Sequence, residues 1–200
     1  MPDLFYENAA RENGACLVCG IDEAGRGPLA GPVYAAAVIL PKDCQIEGLD
    51  DSKKLSEKKR EELFDVICQK AVAYGIASAG EQEIDEINIL NATFLAMCRA
   101  VEQMKVSCDY ALVDGNRTPK GLMIPSETIV KGDSKSLSIA AASVLAKVTR
   151  DRVMMEFDRI YPQYQFAKHK GYPTKLHMDL VREFGPSPIH RLSFLKKVLP

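Results

Sequence analysis

The stretch CGIDEAGRG, residues Cys19 to Gly27, followed at once by PLAGP, Pro28 to Pro32, decides how the rest of the chain is read. Asp22 and Glu23 close a short apolar run (Leu17, Val18, Ile21), and Gly25, Gly27 and Gly31 come after them. An apolar run closed by turn residues reads as a buried strand. Side chains alternate across a strand, so two adjacent carboxylates share a ligand only at a strand end. Glycines open backbone angles closed to other residues and let the chain come close to a bound group. The stretch therefore predicts a cation held at a strand tip, beside a glycine loop pressed against a substrate.

Working outward, Val33 to Leu40 (VYAAAVIL) predicts a second buried strand ended by Pro41, and the short glycine-rich turn between the two favours antiparallel pairing. Ser56 caps a predicted helix running to about Lys70, with Leu63, Ile67 and Cys68 inward. Val72 to Ala79 is a third strand. Ile84, Ile87, Leu90, Phe94, Cys98, Val101 and Met104 recur at helical spacing, which predicts one long amphipathic helix. Ala111 to Asp114 (ALVD), followed by Gly115 and Asn116, repeats the pattern of apolar strand, carboxylate and glycine. Glu127 to Val130 is a fifth strand, ended by KGDSKS from Lys131 to Ser136. The next helix puts Ala141, Val144, Leu145, Val148 and Met155 on one face and stops before Pro162. The remainder, about 162–200, reads as loop with at most one helix, near 174–184. This order predicts an α/β fold, a mixed five-stranded sheet flanked by helices, in a single domain over 1–200.

Composition sets the outer bounds. With 200 residues, 46% hydrophobic and 26% charged, the chain has the make-up of a soluble globular domain. No apolar run approaches a membrane span, and the N-terminus lacks the layout of a secretory signal. A cytosolic location is expected, with no membrane partner and the cysteines reduced. Cys68 and Cys98 fall where small core residues would. Cys16 and Cys19 form half of a zinc pattern with no second half in register. Charge is uneven: residues 147–200 carry 11 Lys and Arg against 5 Asp and Glu, which leaves the rest acidic. A basic C-terminal segment of this kind is either a solvated face or the footprint of a polyanion.

Asp22, Glu23 and Asp114 end two predicted strands, and Asp133 stands in a loop just after a third. If those strands are neighbours, four carboxylates converge at one sheet edge, where their repulsion requires cations. Oxygen ligands without His or Cys select Mg²⁺ or Mn²⁺. A pair of such ions, about 4 Å apart, activates water for in-line phosphoryl displacement. Singly, an Asp at a strand end is often only a turn former; the repeated context makes the set more than that.

At this point the chain resembles the ribonuclease HII family, the bacterial type 2 ribonucleases H. The resemblance rests on GIDEAGRGPLAGP (20–32), DSKKLS (51–56), NILNATFLAM (88–97), LVDGN (112–116), KGDSKSLSIAAASVLAKVTRD (131–151), HKGYPTKLH (169–177) and PIHRLSF (188–194). Ribonuclease HIII is less similar, since it usually differs around the glycine-arginine-glycine element and carries an extra N-terminal domain. The resemblance implies a ribonuclease H-like fold. It also implies hydrolysis of the RNA strand of RNA·DNA hybrids and cutting 5′ to single ribonucleotides in duplex DNA, leaving 3′-hydroxyl and 5′-phosphate ends. By motif match the metal-binding and catalytic carboxylates are Asp22, Glu23, Asp114 and Asp133. Gly25, Arg26 and Gly27 match the element that reads the ribose 2′-hydroxyl, and Tyr172 matches the tyrosine that stacks on the next sugar. Lys53, Ser134, Lys135 and Ser136 are expected phosphate contacts.

Arg150 and Asp151 match the family too, but Asp151 stands 18 residues along a predicted helix from Asp133, about 27 Å away; only one of the two can reach the site, and the glycine-flanked loop favours Asp133. His169, His177 and His190 are expected in structural or phosphate-contacting roles. Some family members continue well past the final RLSF block, so the basic segment from Lys168 to Lys197 is expected to supply more of the electrostatics here. A monomer is expected. The rival readings are a ribonuclease HIII-like enzyme needing ribonucleotide runs, and a non-catalytic hybrid-binding module.

Overall fold

A computed structural model describes residues 1–196 and 198–199, so Lys197, the end of the expected basic segment, lies outside the described residues. The chain forms helix α1 (Phe5–Glu12), strands β1 (Val18–Ala24) and β2 (Val33–Ile39), α2 (Glu57–Lys70), β3 (Ala73–Ala79), α3 (Glu81–Glu102), β4 (Tyr110–Asp114) and β5 (Ser126–Ile129). After these come α4 (Leu137–Ile160), the single turn α5 (Phe166–His169), α6 (Lys175–Phe184) and the single turn α7 (Leu192–Leu195). The strands form one mixed sheet in the order β3-β2-β1-β4-β5. The expected antiparallel β1–β2 pair is present, and β1 runs parallel to β4 and β4 to β5.

Strand alternation divides the core in two. Cys19 and Ile21 of β1, with Ala35 and Ala37 of β2, pack toward α3, whereas Ala36 and Val38 pack toward α2 and α4. The second layer is unusually close: a Cβ at Gly20 would lie 2.2 Å from the Ser138 carbonyl carbon, so glycine lets the start of α4 rest directly on β1. That start is anchored by α1. The fully buried Glu7 accepts hydrogen bonds from the Ser136 hydroxyl at 2.6 Å and the Ser138 N–H at 2.9 Å. Ser56 caps α2 as expected, its hydroxyl accepting from the Lys59 N–H.

Five expectations need correction. The long helix is not continuous: Asn88 (φ 66°) kinks α3, and its side chain caps the second half by accepting from the Leu90 and Asn91 N–H groups. Ile87, expected inward, is consequently exposed. Met155, also expected inward, is exposed, while the adjacent Met154 is the one buried, against Phe166 and Val181 of the C-terminal segment. Residues 162–200 hold more than the one expected helix, since α5, α7 and a 3-10 turn at Pro162–Tyr164 flank α6. Cys68 is half-buried at the margin of the second core layer, and Cys98 is half-buried with its thiol donating to the Lys120 carbonyl. Among the described residues no helix is long and apolar enough to cross a membrane.

Candidate active site

β1 pairs with β2 as far as Ala24, but its pairing with β4 ends at Ile21, opposite Val113. Asp22 and Glu23 thus lie inside a strand on one side and beyond its end on the other. Asp22 stands opposite Ala36, on the α4 face, and Glu23 opposite Ala35, on the α3 face. The adjacent carboxylates straddle the sheet at the point where Asp114 ends β4. The 3-10 turn Gly132–Ser134 brings in Asp133, because the Gly132 N–H donates to Asp114 Oδ1 at 2.6 Å. Three adjoining hollows share Asp114. One of about 220 Å³ holds Asp22, Glu23, Gly25, Lys53 and Tyr172. One of about 430 Å³ holds Lys53, Lys131, Asp133 and Ser134, and one of about 340 Å³ runs past Glu23 and Arg26 to the second half of α3.

The electrostatics match this crowding. Burial holds the Asp22 carboxyl well above the usual range, and the Glu23 and Asp114 charges add to it. Burial also raises Glu23, with Arg26 offsetting part of the shift, and raises Asp114, where Asp133 adds. Lys53 is pulled down by burial but more strongly raised by Asp133, Asp22 and Asp51. Each carboxylate has a local partner: Asp22 Oδ1 accepts from the Glu23 N–H at 2.7 Å, Glu23 meets Arg26 at 3.3 Å, and Asp133 meets Lys53 at 3.4 Å. Among the described residues no three His, Cys, Asp or Glu side chains form a ready-made metal-binding group. Glu23 is turned onto Arg26 and Asp133 onto Lys53. As a donor set, buried oxygen ligands whose mutual repulsion raises their pKa fit a hard divalent cation.

The remaining expected residues divide. Gly25, Arg26, Gly27 and Tyr172 line the hollow beside Asp22, and Tyr172 is 39% exposed. Gly25 (φ +97°) is obligatory, since a Cβ there would lie 2.1 Å from the Arg150 Nε. Lys53 reaches the site, Ser134 lines it while donating to the Lys131 carbonyl, and Lys135 is exposed beside it. Ser136 does not face it. That side chain is fully buried, and its hydroxyl is committed to Glu7 and to capping α4 through the Ile139 N–H. Asp151 is engaged by Lys147 at 2.7 Å and lines none of the three hollows.

All three histidines are buried in one cluster, His177 facing His190 at 3.0 Å, in a structural role. Sequence reasoning missed Ser143 and Ser52, which bond to each other at 2.8 Å while lining the Asp22 hollow. Their signal is weak, because Ser143 sits in a run of small residues that otherwise reads as plain helix packing.

The sequence profile of the family described as Ribonuclease HII matches residues 19–197. A Ribonuclease HII of Clostridioides difficile is 56% identical over 195 residues, 98% of this chain and 76% of that protein. One from a Marinomonas species is 59% identical over 185 residues, covering 92% and 93%. Among solved structures, the ribonuclease H2 of Pyrococcus horikoshii OT3 superposes with a TM-score of 0.75 at 26% identity, over 92% of this chain and 97% of that one. The mixed sheet with its flanking helices is therefore the ribonuclease H-like fold.

Proposed function

This chain belongs to the ribonuclease HII family and is a ribonuclease H hydrolase, and from that premise we propose that it cuts the RNA strand of RNA·DNA hybrids and cuts 5′ to single ribonucleotides in duplex DNA. The products carry 3′-hydroxyl and 5′-phosphate ends, and the protein acts as a monomeric, single-domain cytoplasmic enzyme. The observation that carries the reading is the meeting of Asp22, Glu23, Asp114 and Asp133, from three separate segments, around hollows that share Asp114.

These four carboxylates would hold two divalent ions, Mg²⁺ or Mn²⁺. When bound, the ions would supply an activated water and neutralise charge on the phosphodiester and the leaving oxygen. The chain's own residues do the rest. Gly25, Arg26 and Gly27 bring backbone groups against the sugar, where a site built to bond a hydroxyl strongly rejects the analogue lacking one. Tyr172, half-exposed across the same hollow, gives the neighbouring sugar a face to stack on. Lys53, Ser134 and Lys135 meet the phosphates, where contacts fix register without reading sequence. Lys53 is held at the site by Asp133 until a phosphate takes its place. Ser136 contributes only by holding the start of α4.

The test is a labelled DNA duplex with one ribonucleotide, incubated with Mg²⁺, with Mn²⁺ and with chelator, beside Asp22→Asn. Metal-dependent cutting on the 5′ side of the ribonucleotide, absent in the variant, is expected. Cutting of long hybrids alone would move the reading to a requirement for ribonucleotide runs, and silence on both would leave a binding module.

A further inference from the structure

Two arginines lie behind the glycine loop, both fully buried. Arg191 donates from Nε to the Gly31 carbonyl at 2.8 Å, from Nη1 to that of Arg26 at 3.0 Å, and from Nη2 to those of Gly25 and Gly31 at 2.6 Å each. Arg150 donates from Nε to Pro32 at 3.1 Å, from Nη2 to Ala30 at 3.1 Å and from Nη1 to the Lys170 carbonyl at 3.0 Å. Neither guanidinium makes a salt bridge among the described residues; the nearby Glu81 has a buried Oε1 without a hydrogen-bond partner. Burial without a paired carboxylate is costly, and it pushes Arg191 down to about 9. Packing alone does not call for two such charges side by side.

Their effect on the loop follows from peptide geometry. In a planar trans peptide the C=O and the following N–H point in opposite directions. When Arg191 draws the Gly25 and Arg26 carbonyls inward, the N–H groups of Arg26 and Gly27 turn the other way, away from Arg191, in a loop that lines the hollow shared with Asp22 and Tyr172. Neither N–H has an intramolecular partner among the described residues. Arg150 joins this loop to the segment carrying Tyr172, since the same fork holds Ala30, Pro32 and Lys170, and its Cζ lies 5.7 Å from the Tyr172 ring centroid.

We infer that Arg191 and Arg150 are positioning residues that set the sugar selectivity of the site: they fix the peptide planes of Gly25 to Gly27 so that the Arg26 and Gly27 N–H groups face the ribose, and they lock that loop to the one bearing Tyr172. The inference rests on the proposed reading of the 2′-hydroxyl by this loop. A lysine keeps the charge at either position but lacks the planar fork that holds several carbonyls at once.

The experiment is fluorescence anisotropy in chelator, with two duplexes identical except for one ribonucleotide, for wild type, Arg191→Lys and Arg150→Lys. Circular dichroism and a melting curve check folding. Wild type is expected to prefer the ribonucleotide duplex, and each folded variant is expected to lose about tenfold or more of that preference, the worth of one misaligned hydrogen bond. Affinity for the all-DNA duplex stays the same, because buried arginines touch no phosphate. Folded variants with the wild-type preference would overturn the inference and leave the sugar reading intact; no preference in wild type would remove the sugar reading and the inference with it. A variant-free check is the ¹H–¹⁵N spectrum of wild type: the Arg26 and Gly27 amides are expected to shift with the ribonucleotide duplex and not with the all-DNA one, and equal shifts overturn the inference.

Discussion

The Gly132 N–H donates to the Asp114 carboxylate at 2.6 Å, so the carboxylate that ends β4 also fixes the turn that carries Asp133. Two candidate ligands are thereby one mechanical unit, and charge and acceptor at Asp114 are separable. Asp114→Asn removes the charge and keeps an oxygen for Gly132, whereas Asp114→Ala removes both. Both variants are expected to lose metal-dependent cutting. Only the alanine variant is expected to lose stability as well, by about 1–3 kcal/mol for the stranded N–H, read as a lower denaturation midpoint.

Asp22 illustrates the cost of the site. Its carboxyl is raised well above the usual range by burial, and the Glu23 and Asp114 charges add. A carboxyl with a raised folded pKa lends stability at low pH that is lost as pH rises, because the folded state then carries a charge it disfavours. In neutral buffer with chelator, Asp22→Asn is therefore expected to melt higher than wild type, by about 2–4 °C for each kcal/mol of repulsion relieved. Mg²⁺ or Mn²⁺ is expected to raise the wild-type melting temperature by mass action and to do little for the variant. A variant that melts lower in chelator would show that the hydrogen bonds of Asp22 outweigh its repulsions.

What could be read from the sequence was what is local. The two strands ending in carboxylates, the antiparallel pair and the Ser56 cap follow from alternation and capping within a few residues. The α3 kink escaped because a hydrophobic stripe is insensitive to one residue at positive φ, even though Asn88 is a natural cap for the second half. The C-terminal quarter escaped because distant contacts hold it: Tyr164 donates to the Gly185 carbonyl, and Arg150 to that of Lys170. Prolines there read as loop, while the short turns near them are held by contacts remote in sequence, as where Asp85 of α3 accepts from the Leu192 and Ser193 N–H groups at the start of α7. Ser136 was misplaced for a related reason, since nothing nearby in sequence announces that Glu7 takes up its hydroxyl.

Glu7 itself supports a third prediction. One carboxylate oxygen accepts from the Ser136 hydroxyl, the Ser138 N–H and the Ser138 hydroxyl, all buried, just after the turn that carries Asp133. Glu7→Ala strands these donors, and a loss of about 2–5 kcal/mol is expected from the broken buried network. Cutting activity per folded molecule is expected to fall as well, because the start of α4 sets the position of Asp133. Full activity in a destabilised variant would separate the anchor from the site.

The buried histidines give the pH dependence a definite sign. The Ser187 N–H donates to His190 Nδ1 at 2.9 Å, so His190 carries its proton on Nε2 and donates to His177 Nε2 at 3.0 Å. His177 in turn donates from Nδ1 to the Tyr172 carbonyl at 3.0 Å. Every nitrogen of the neutral pair is engaged, and an added proton sets two donors face to face. Burial, with the neighbouring ring charge, lowers both to about 4, against about 6.5 in the unfolded chain. Between those values the unfolded state binds more protons, so this stability is complete above pH 6.5 and declines as pH falls toward 4. Asp22, Glu23 and Asp114, with raised pKa values, act in the opposite direction over part of the same range, so the histidine share must be read as a difference. From pH 7 to 5 the wild-type melting temperature is expected to fall further than that of His190→Gln, which removes one titrating ring while keeping an acceptor and a donor. Parallel curves would mean that the pair takes up no proton on unfolding, and the directed hydrogen-bond chain to Tyr172 would then lose its basis.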